Sequence, residues 1–317
     1  MLLKVLGTAA GGGVPQWNCA CRECSGARGD PRRRRRHASL AVEASEGRWY
    51  VVNATPDIAD QIEGCPELHP GPERRRTPLA GVVLTDAELD HTLGIARLRE
   101  AERLELLATE AVRDAVLERQ HLGDLLAPYT ELTWRELPVG GGSGLRGGGG
   151  VRGRGAAEPL GTRSTVHVSA IPVSGKRPRY AATDTAESGG SGRWVTALRL
   201  TDRSTGRTAV YAPALGAWPE ALEEAVAEAD CVILDGTFWD DDEPRRSGFS
   251  ARTATAMGHL PIDGPQGTAR RLASLPARCL YTHLNNTNPL VDPAAPQHKA
   301  LARLGIEVAA DGMEIVL

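Results

Sequence analysis

The six residues Asp86 to His91 restrict the fold of this chain more than any other segment. They follow the apolar run Leu79-Ala-Gly-Val-Val-Leu84 directly and carry four potential metal ligands, Asp86, Glu88, Asp90 and His91. A short aliphatic run of this kind reads as a buried strand. A strand that stops at a cluster of acids and a histidine holds those side chains on a rigid support at its end.

The rest of the chain repeats the theme of short aliphatic strands alternating with helical stretches. Strands are predicted at Leu2–Leu6, Ser39–Glu43, Trp49–Asn53, Leu79–Leu84 and Leu104–Ala108, then at Thr165–Ile171, Trp194–Leu200, Thr208–Tyr211, Cys231–Asp235 and Cys279–Thr282. The last two are Glu307–Ala309 and Glu314–Leu317. Helices are predicted at Asp57–Glu63, His91–Glu100, Thr109–Arg119, Pro219–Glu228, Gln266–Ser274 and Pro296–Arg303. This order predicts a layered α/β domain with sheets inside and helices outside. The segment Gly140–Gly155 is nearly all Gly, Arg and Ser and cannot bury apolar area. Motif residues lie on both sides of it, so it reads as a surface-loop insertion within one domain spanning residues 1–317. No internal repeat is evident in the sequence.

Several other apolar strands end in polar residues. Asp57 follows Asn53-Ala-Thr-Pro, at a helix start where an acid is more often an N-cap than a ligand. Asp235 closes Cys231-Val-Ile-Leu, His259 follows Met257-Gly, and His283 follows Leu280-Tyr-Thr and precedes three asparagines. A lone histidine is usually structural. Two of them at strand ends, with Asp90 and His91 already present, favour a shared site. Cys19, Cys21 and Cys24 form Cys-x-Cys-x-x-Cys, a density of thiols that core packing does not explain and that points to a structural zinc. His37, Asn286 or water could supply the fourth ligand. Cys231 and Cys279 sit in apolar runs and read as buried thiols.

Composition excludes some functions. The chain has 317 residues, 41% hydrophobic, with a net charge of −3, so no global field points to nucleic acid. Two basic runs, Arg32–Arg36 and Arg74–Arg76, lack interleaved aromatic residues and read as solvated loops. No apolar run is long enough for a transmembrane helix, and the first strand is too short for a signal-peptide core. A cytoplasmic setting is expected, with thiols rather than disulfides. The oligomeric state stays open, a dimer included.

Together these segments resemble one family closely. They are Gly11-Gly-Gly-Val-Pro-Gln-Trp-Asn-Cys-x-Cys, Thr85-Asp-Ala-Glu-Leu-Asp-His91, Val173-Ser-Gly-Lys176, Tyr211-Ala-Pro213, Asp235-Gly-Thr-Phe-Trp239, Met257-Gly-His259-Leu, His283-Leu-Asn-Asn-Thr-Asn-Pro289 and Asp311-Gly-Met-Glu-Ile. In that order, along the whole chain, they are similar to the PqqB family, the B proteins of pyrroloquinoline quinone (PQQ) biosynthesis. The resemblance implies an αββα metallo-β-lactamase-like sandwich with its metal site at one edge. It also implies a role in making PQQ from the PqqA peptide, by iron(II)- and dioxygen-dependent hydroxylation of the tyrosine ring of a cross-linked Glu-Tyr precursor. A role in carrying PQQ or a precursor towards the periplasm is the alternative, and a metal-dependent hydrolase is a third. The implied partners are the precursor, dioxygen and other PQQ biosynthesis proteins.

The ligand set bears on that choice. The metal loop of the metallo-β-lactamase fold is His-x-His-x-Asp-His, and here Asp86 and Glu88 stand at the first two histidines. The segment that normally bridges two metals is Tyr211-Ala-Pro213-Ala, without an acid. A second zinc therefore loses support. His91, His283 and a carboxylate, with Asp90 the first choice, form a two-histidine, one-carboxylate face suited to iron(II). Asp86, Glu88, Asp235 and His259 are expected to line the same cavity as ligands, bases or proton carriers.

Overall fold

In a computed structural model of the chain, the described residues are 1–72, 76–140, 157–161, 164–182 and 193–317. Among the described residues, fourteen strands form two seven-stranded sheets. Those of the first half are β1 (Leu2–Gly7), β2 (Ser39–Ser45), β3 (Arg48–Val52), β4 (Leu79–Val83), β5 (Arg103–Ala108), β6 (Glu131–Glu136) and β7 (Glu158–Pro159). The second half holds β8 (Val166–Ser174), β9 (Val195–Asp202), β10 (Thr208–Ala212), β11 (Cys231–Asp235), β12 (Arg278–Thr282), β13 (Ile306–Val308) and β14 (Glu314–Val316). One sheet has the order β14-β1-β2-β3-β4-β5-β6 and the other β13-β12-β11-β10-β9-β8-β7.

Each sheet is antiparallel over its first hairpins and parallel thereafter. The sequence β1-β2-β3 pairs antiparallel and β3-β4-β5-β6 parallel, and β8-β9-β10 and β10-β11-β12-β13 repeat that scheme. The remaining edge strands also pair antiparallel, β14 from the far end of the chain on β1 and β7, which directly precedes it, on β8. The two halves thus share a topology that no sequence repeat announced.

Alternation along the strands explains the layers. Val52, Val83, Leu107, Tyr211, Ile233 and Leu280 point into the core between the sheets. Their neighbours Val82, Leu106, Val210, Val232 and Tyr281 face outward, where they meet helical residues such as Val112, Val116, Leu222 and Leu272. The outer face of β3, Trp49 and Val51, is covered by Ile58 and Leu68. Two sheets between helical layers is the expected αββα arrangement.

Local structure departs from expectation in places. Strand β6 and the helices Arg22–Gly29 and Ala254–Met257 went unpredicted. The stretch 91–100 is a short α-turn, Leu89–Thr92, continued as a tighter 3₁₀ turn, Leu93–Leu98. Gly94 explains the close packing there, since a Cβ on it would lie 2.0 Å from the backbone oxygen of Thr55. The Arg32–Arg36 run is not a freely solvated loop. Arg35 donates to the Thr8 hydroxyl and the Ala309 carbonyl, Arg34 to the Ala27 carbonyl, and Arg33 pairs with Asp292 at 3.3 Å. These partners come from distant parts of the chain, so the run joins the Cys segment to the C-terminal strands. Gly140–Gly155, apart from Gly140, and Arg74 and Arg75 lie outside the described residues. Among the described residues, no helix is long and apolar enough to cross a membrane.

Candidate metal centre

Strands β4, β11 and β12 all end at one edge of the sandwich, and the residues that follow them converge. Thr85, just after β4, accepts hydrogen bonds at its carbonyl from the backbone and hydroxyl of Thr196 in β9, which locks the two sheets together at this edge. Asn53, in a left-handed conformation (φ 66°) just after β3, bonds Thr85 through both ends of its amide.

Beyond Thr85 the chain turns so that Asp86 and His91 meet. The imidazole Nδ1 of His91 lies 2.8 Å from Asp86 Oδ2, which also accepts the Thr85 hydroxyl, and Asp86 Oδ1 accepts the Glu88 N–H. With these partners and 2% exposure, Asp86 is occupied as an acceptor. It holds Nδ1–H of His91 and turns the ring's Nε2 towards Asp90 and His283. Asp90 Oδ2 lies 3.7 Å from His91 Nε2 and 3.6 Å from His283 Nε2. Both Nε2 atoms are buried and have no hydrogen-bond partner in the protein. A buried ring nitrogen left unpaired is costly unless a ligand completes it.

Two atoms each about 2.1 Å from a shared ion lie roughly 3–3.5 Å apart. The Asp90, His91 and His283 ligand atoms, all within 4.8 Å of one another, are close to that geometry. Close approach of Asp90 to the first loop requires Gly11, where a Cβ would sit 3.1 Å from Asp90 Oδ2. His283 itself is left-handed (φ 57°), a conformation uncommon for a residue with a side chain and more frequent at functional sites.

Electrostatics follow from the crowding. Burial works against charge on His91, but Asp86, Asp90 and Glu88 outweigh it and push its pKa up to about 9. Burial likewise opposes ionisation of Asp90, yet His91 and His283 hold its carboxyl well below the usual range. Burial raises Glu88, only partly offset by Lys176, whose Nζ is 3.7 Å away.

Asp235 and His259 stand on the far side of His283. His259 Nδ1 lies 2.7 Å from Asp235 Oδ2, which also accepts the Leu215 N–H. His259 is aimed by Gly258, whose φ of 92° ends the helix Ala254–Met257. The cleft in front of these groups has a volume of about 510 Å³. Its floor is Asp86, Asp90, His91, His259 and His283, and Phe238, Phe249 and Met257 form apolar walls. Glu88, Lys176, Arg177, Arg179 and Arg252 ring its mouth. Asp235 is fully buried behind His259 and does not reach the cleft surface.

The cysteine cluster forms a separate centre. The Sγ atoms of Cys19, Cys21 and Cys24 lie within 4.8 Å of one another. Backbone N–H groups of Cys21, Cys24 and Gln16 point at the sulfurs of Cys19, Cys21 and Cys24 at 3.3–3.4 Å. Such donors suit thiolates bound to zinc. Of the fourth-ligand candidates, the fold brings Asn286 to the cluster, its amide nitrogen 3.2 Å from Cys19 Sγ. His37 instead lies 3.1 Å from Asp57, whose carboxylate also accepts the His37 N–H. Asp57 therefore makes no side-chain cap on its helix, contrary to expectation.

Thr237, Tyr180, Arg179 and Arg252 were not singled out from the sequence. Thr237 had a weak local signal, a Thr two residues after a strand-ending acid. The others are recognisable only from their place around the cleft.

A profile of the beta-lactamase superfamily domain matches residues 48–284. "Coenzyme PQQ synthesis protein B" of Azoarcus sp. (strain BH72) is 41% identical, with 100% of each chain covered. The protein of the same name from Cupriavidus necator is 41% identical over 99% of each chain. The chain belongs to the PqqB family. Among solved structures, Zn(2+)-bound PqqB from Methylobacterium extorquens is 30% identical, covers 100% of both chains and superposes with a TM-score of 0.86. A diphosphatase of the PhnP family, 18% identical with a TM-score of 0.63 over 100% of this chain and 97% of its own, shares the fold. The chain thus has the metallo-β-lactamase fold, with Asp86 and Glu88 in the loop that follows β4.

Proposed function

We propose that the chain acts in PQQ biosynthesis as an iron(II)- and dioxygen-dependent hydroxylase of the tyrosine-derived ring of a cross-linked Glu-Tyr precursor. One observation carries this reading. The unpartnered Nε2 atoms of His91 and His283 and the Asp90 carboxylate converge at the floor of the cleft. Two imidazoles and one carboxylate leave open positions on iron(II), which supplies dioxygen activation when bound. The same set offers too few imidazoles for the paired zincs of a hydrolase.

The chain's own residues then have distinct tasks. Asp86 fixes the His91 ring with Nε2 forward. Phe238 and Phe249, stacked on one another, offer an apolar wall to an aromatic ring, while Lys176, Arg177, Arg179 and Arg252 attract its carboxylates. Glu88, whose pKa burial raises, sits at the mouth beside Lys176, placed to hand a proton to or from the ring hydroxyl. Hydroxylation turns a ring C–H into C–OH with one atom of dioxygen. The other atom leaves as water, taking two electrons from an external reductant and two protons from solvent. Cys19, Cys21 and Cys24 hold a zinc that keeps the first loop in place.

The test is anaerobic reconstitution with iron(II), then oxygen, a reductant and a tyrosine-derived substrate, followed by mass analysis. A gain of one oxygen atom is expected from the parent protein. None is expected from His91→Ala or His283→Ala, both of which keep the zinc held by the cysteines. Full oxygen uptake by both variants, or binding of PQQ without turnover by the parent, would replace this reading with that of a carrier.

A further inference from the structure

A second cluster, Asp235, His259 and His283, also brings potential ligand atoms within 4.8 Å of one another. The hydrogen bonds give it a different role. The Thr237 hydroxyl lies among all three, 2.5 Å from Asp235 Oδ1, 2.8 Å from His283 Nδ1 and 3.1 Å from His259 Nδ1. Asp235 accepts on every side. Its Oδ2 takes the Leu215 N–H and His259 Nδ1–H, and its Oδ1 takes the Thr237 N–H. The hydroxyl has one hydrogen, and the carboxylate at 2.5 Å takes it. Only lone pairs of Thr237 remain for His283, so His283 Nδ1 must carry the proton.

We infer that Thr237 is a positioning residue that fixes His283 in its Nδ1–H tautomer and so presents the Nε2 lone pair to the ion between Asp90 and His91. The inference rests on the metal-centre reading above. Asp86 does the same for His91 from the other sheet, so each histidine of the face has an inward acceptor at Nδ1. His259, stacked on His283 with ring centroids 5.9 Å apart, is fixed by the same Asp235–Thr237 pair with its own Nε2 forward. The cluster is a hydrogen-bond hub rather than a place for a second ion, because the hydroxyl and Nδ1 hydrogens fill its centre.

Two variants test this. Thr237→Val keeps the shape and removes the hydroxyl, and Thr237→Ser restores it. The first readout is the ¹⁵N NMR tautomer of His283 in metal-free protein. Parent and Thr237→Ser should show Nδ1–H, and Thr237→Val a mixture with Nε2–H. The second readout is anaerobic iron(II) affinity, expected to fall roughly 10–100-fold in Thr237→Val, with most of the loss restored in Thr237→Ser. An Nε2–H tautomer in the parent overturns the inference, even if Thr237→Val fails to fold. So does a Thr237→Val variant that keeps both tautomer and affinity. A parent protein that has the Nδ1–H tautomer but binds no iron(II) at His91 overturns instead the metal-centre reading.

Discussion

Glu243 offers a test of how the site's two supporting loops are held. It is 2% exposed, accepts the Trp239 N–H at 2.6 Å and bonds the Thr287 hydroxyl at 2.7 Å. It therefore ties the loop after Asp235 to the loop after His283. Burial raises its pKa from 4.5 to about 7, despite the two hydrogen bonds. The folded chain thus keeps a proton that the unfolded chain releases between those values. Where the folded state binds more protons, stability falls as pH rises. The contribution is complete below about pH 4.5, declines through about 7 and is flat above. At 1.36 kcal/mol per pKa unit, the gap corresponds to at most about 3 kcal/mol. Glu243→Gln mimics the protonated acid, since its amide can donate to Thr287 and accept from Trp239. The assay is urea unfolding of both proteins from pH 5 to 8.5. The variant should match the parent near pH 5 and exceed it by roughly 1–3 kcal/mol at pH 8.5. A parent that gains stability relative to the variant as pH rises through 7 would refute the argument.

Three further outcomes are expected. Replacing Cys19, Cys21 or Cys24 by Ser should remove one zinc per chain by elemental analysis and lower the unfolding midpoint, while iron(II) still binds at His91 and His283. Because the His91 pKa is raised to about 9, iron(II) must displace a proton below that pH. Calorimetry should therefore show proton release on binding and affinity that rises towards pH 9, and Asp86→Asn should weaken both trends. Gly94→Ala forces a Cβ against the Thr55 carbonyl, and the strain should cost about 1–3 kcal/mol in urea unfolding and loosen the metal-bearing turn.

The sequence was most legible where a single strand carries the information. The apolar runs before Asp86, Asp235 and His283 are continuous because parallel strands are buried on both faces, so both strand and ending could be read locally. The close spacing of Cys19, Cys21 and Cys24 likewise let that thiol cluster be read locally. Strand β6 was missed because it lies at a sheet edge, where Glu131, Thr133 and Glu136 meet solvent and no apolar run forms.

What only the tertiary structure decided is which of the acids are free to bind an ion. Asp86, Asp90 and Asp235 are equivalent as letters. In the fold, Asp86 and Asp235 are consumed as acceptors for His91 and His259, while Asp90 faces two unpartnered ring nitrogens. The common topology of the two sheets is likewise invisible in sequence, since strand pairing constrains backbone direction and apolar periodicity but not residue identity. Thr237 shows the limit most directly. Its hydroxyl acts only because parallel pairing sets Asp235 beside Thr282, which places His283 against the turn after β11. The sequence by itself determined the residue types that one sandwich edge carries. The adjacency of strands remote in sequence assigned each one its task, because a hydrogen bond depends on separation in space and not along the chain.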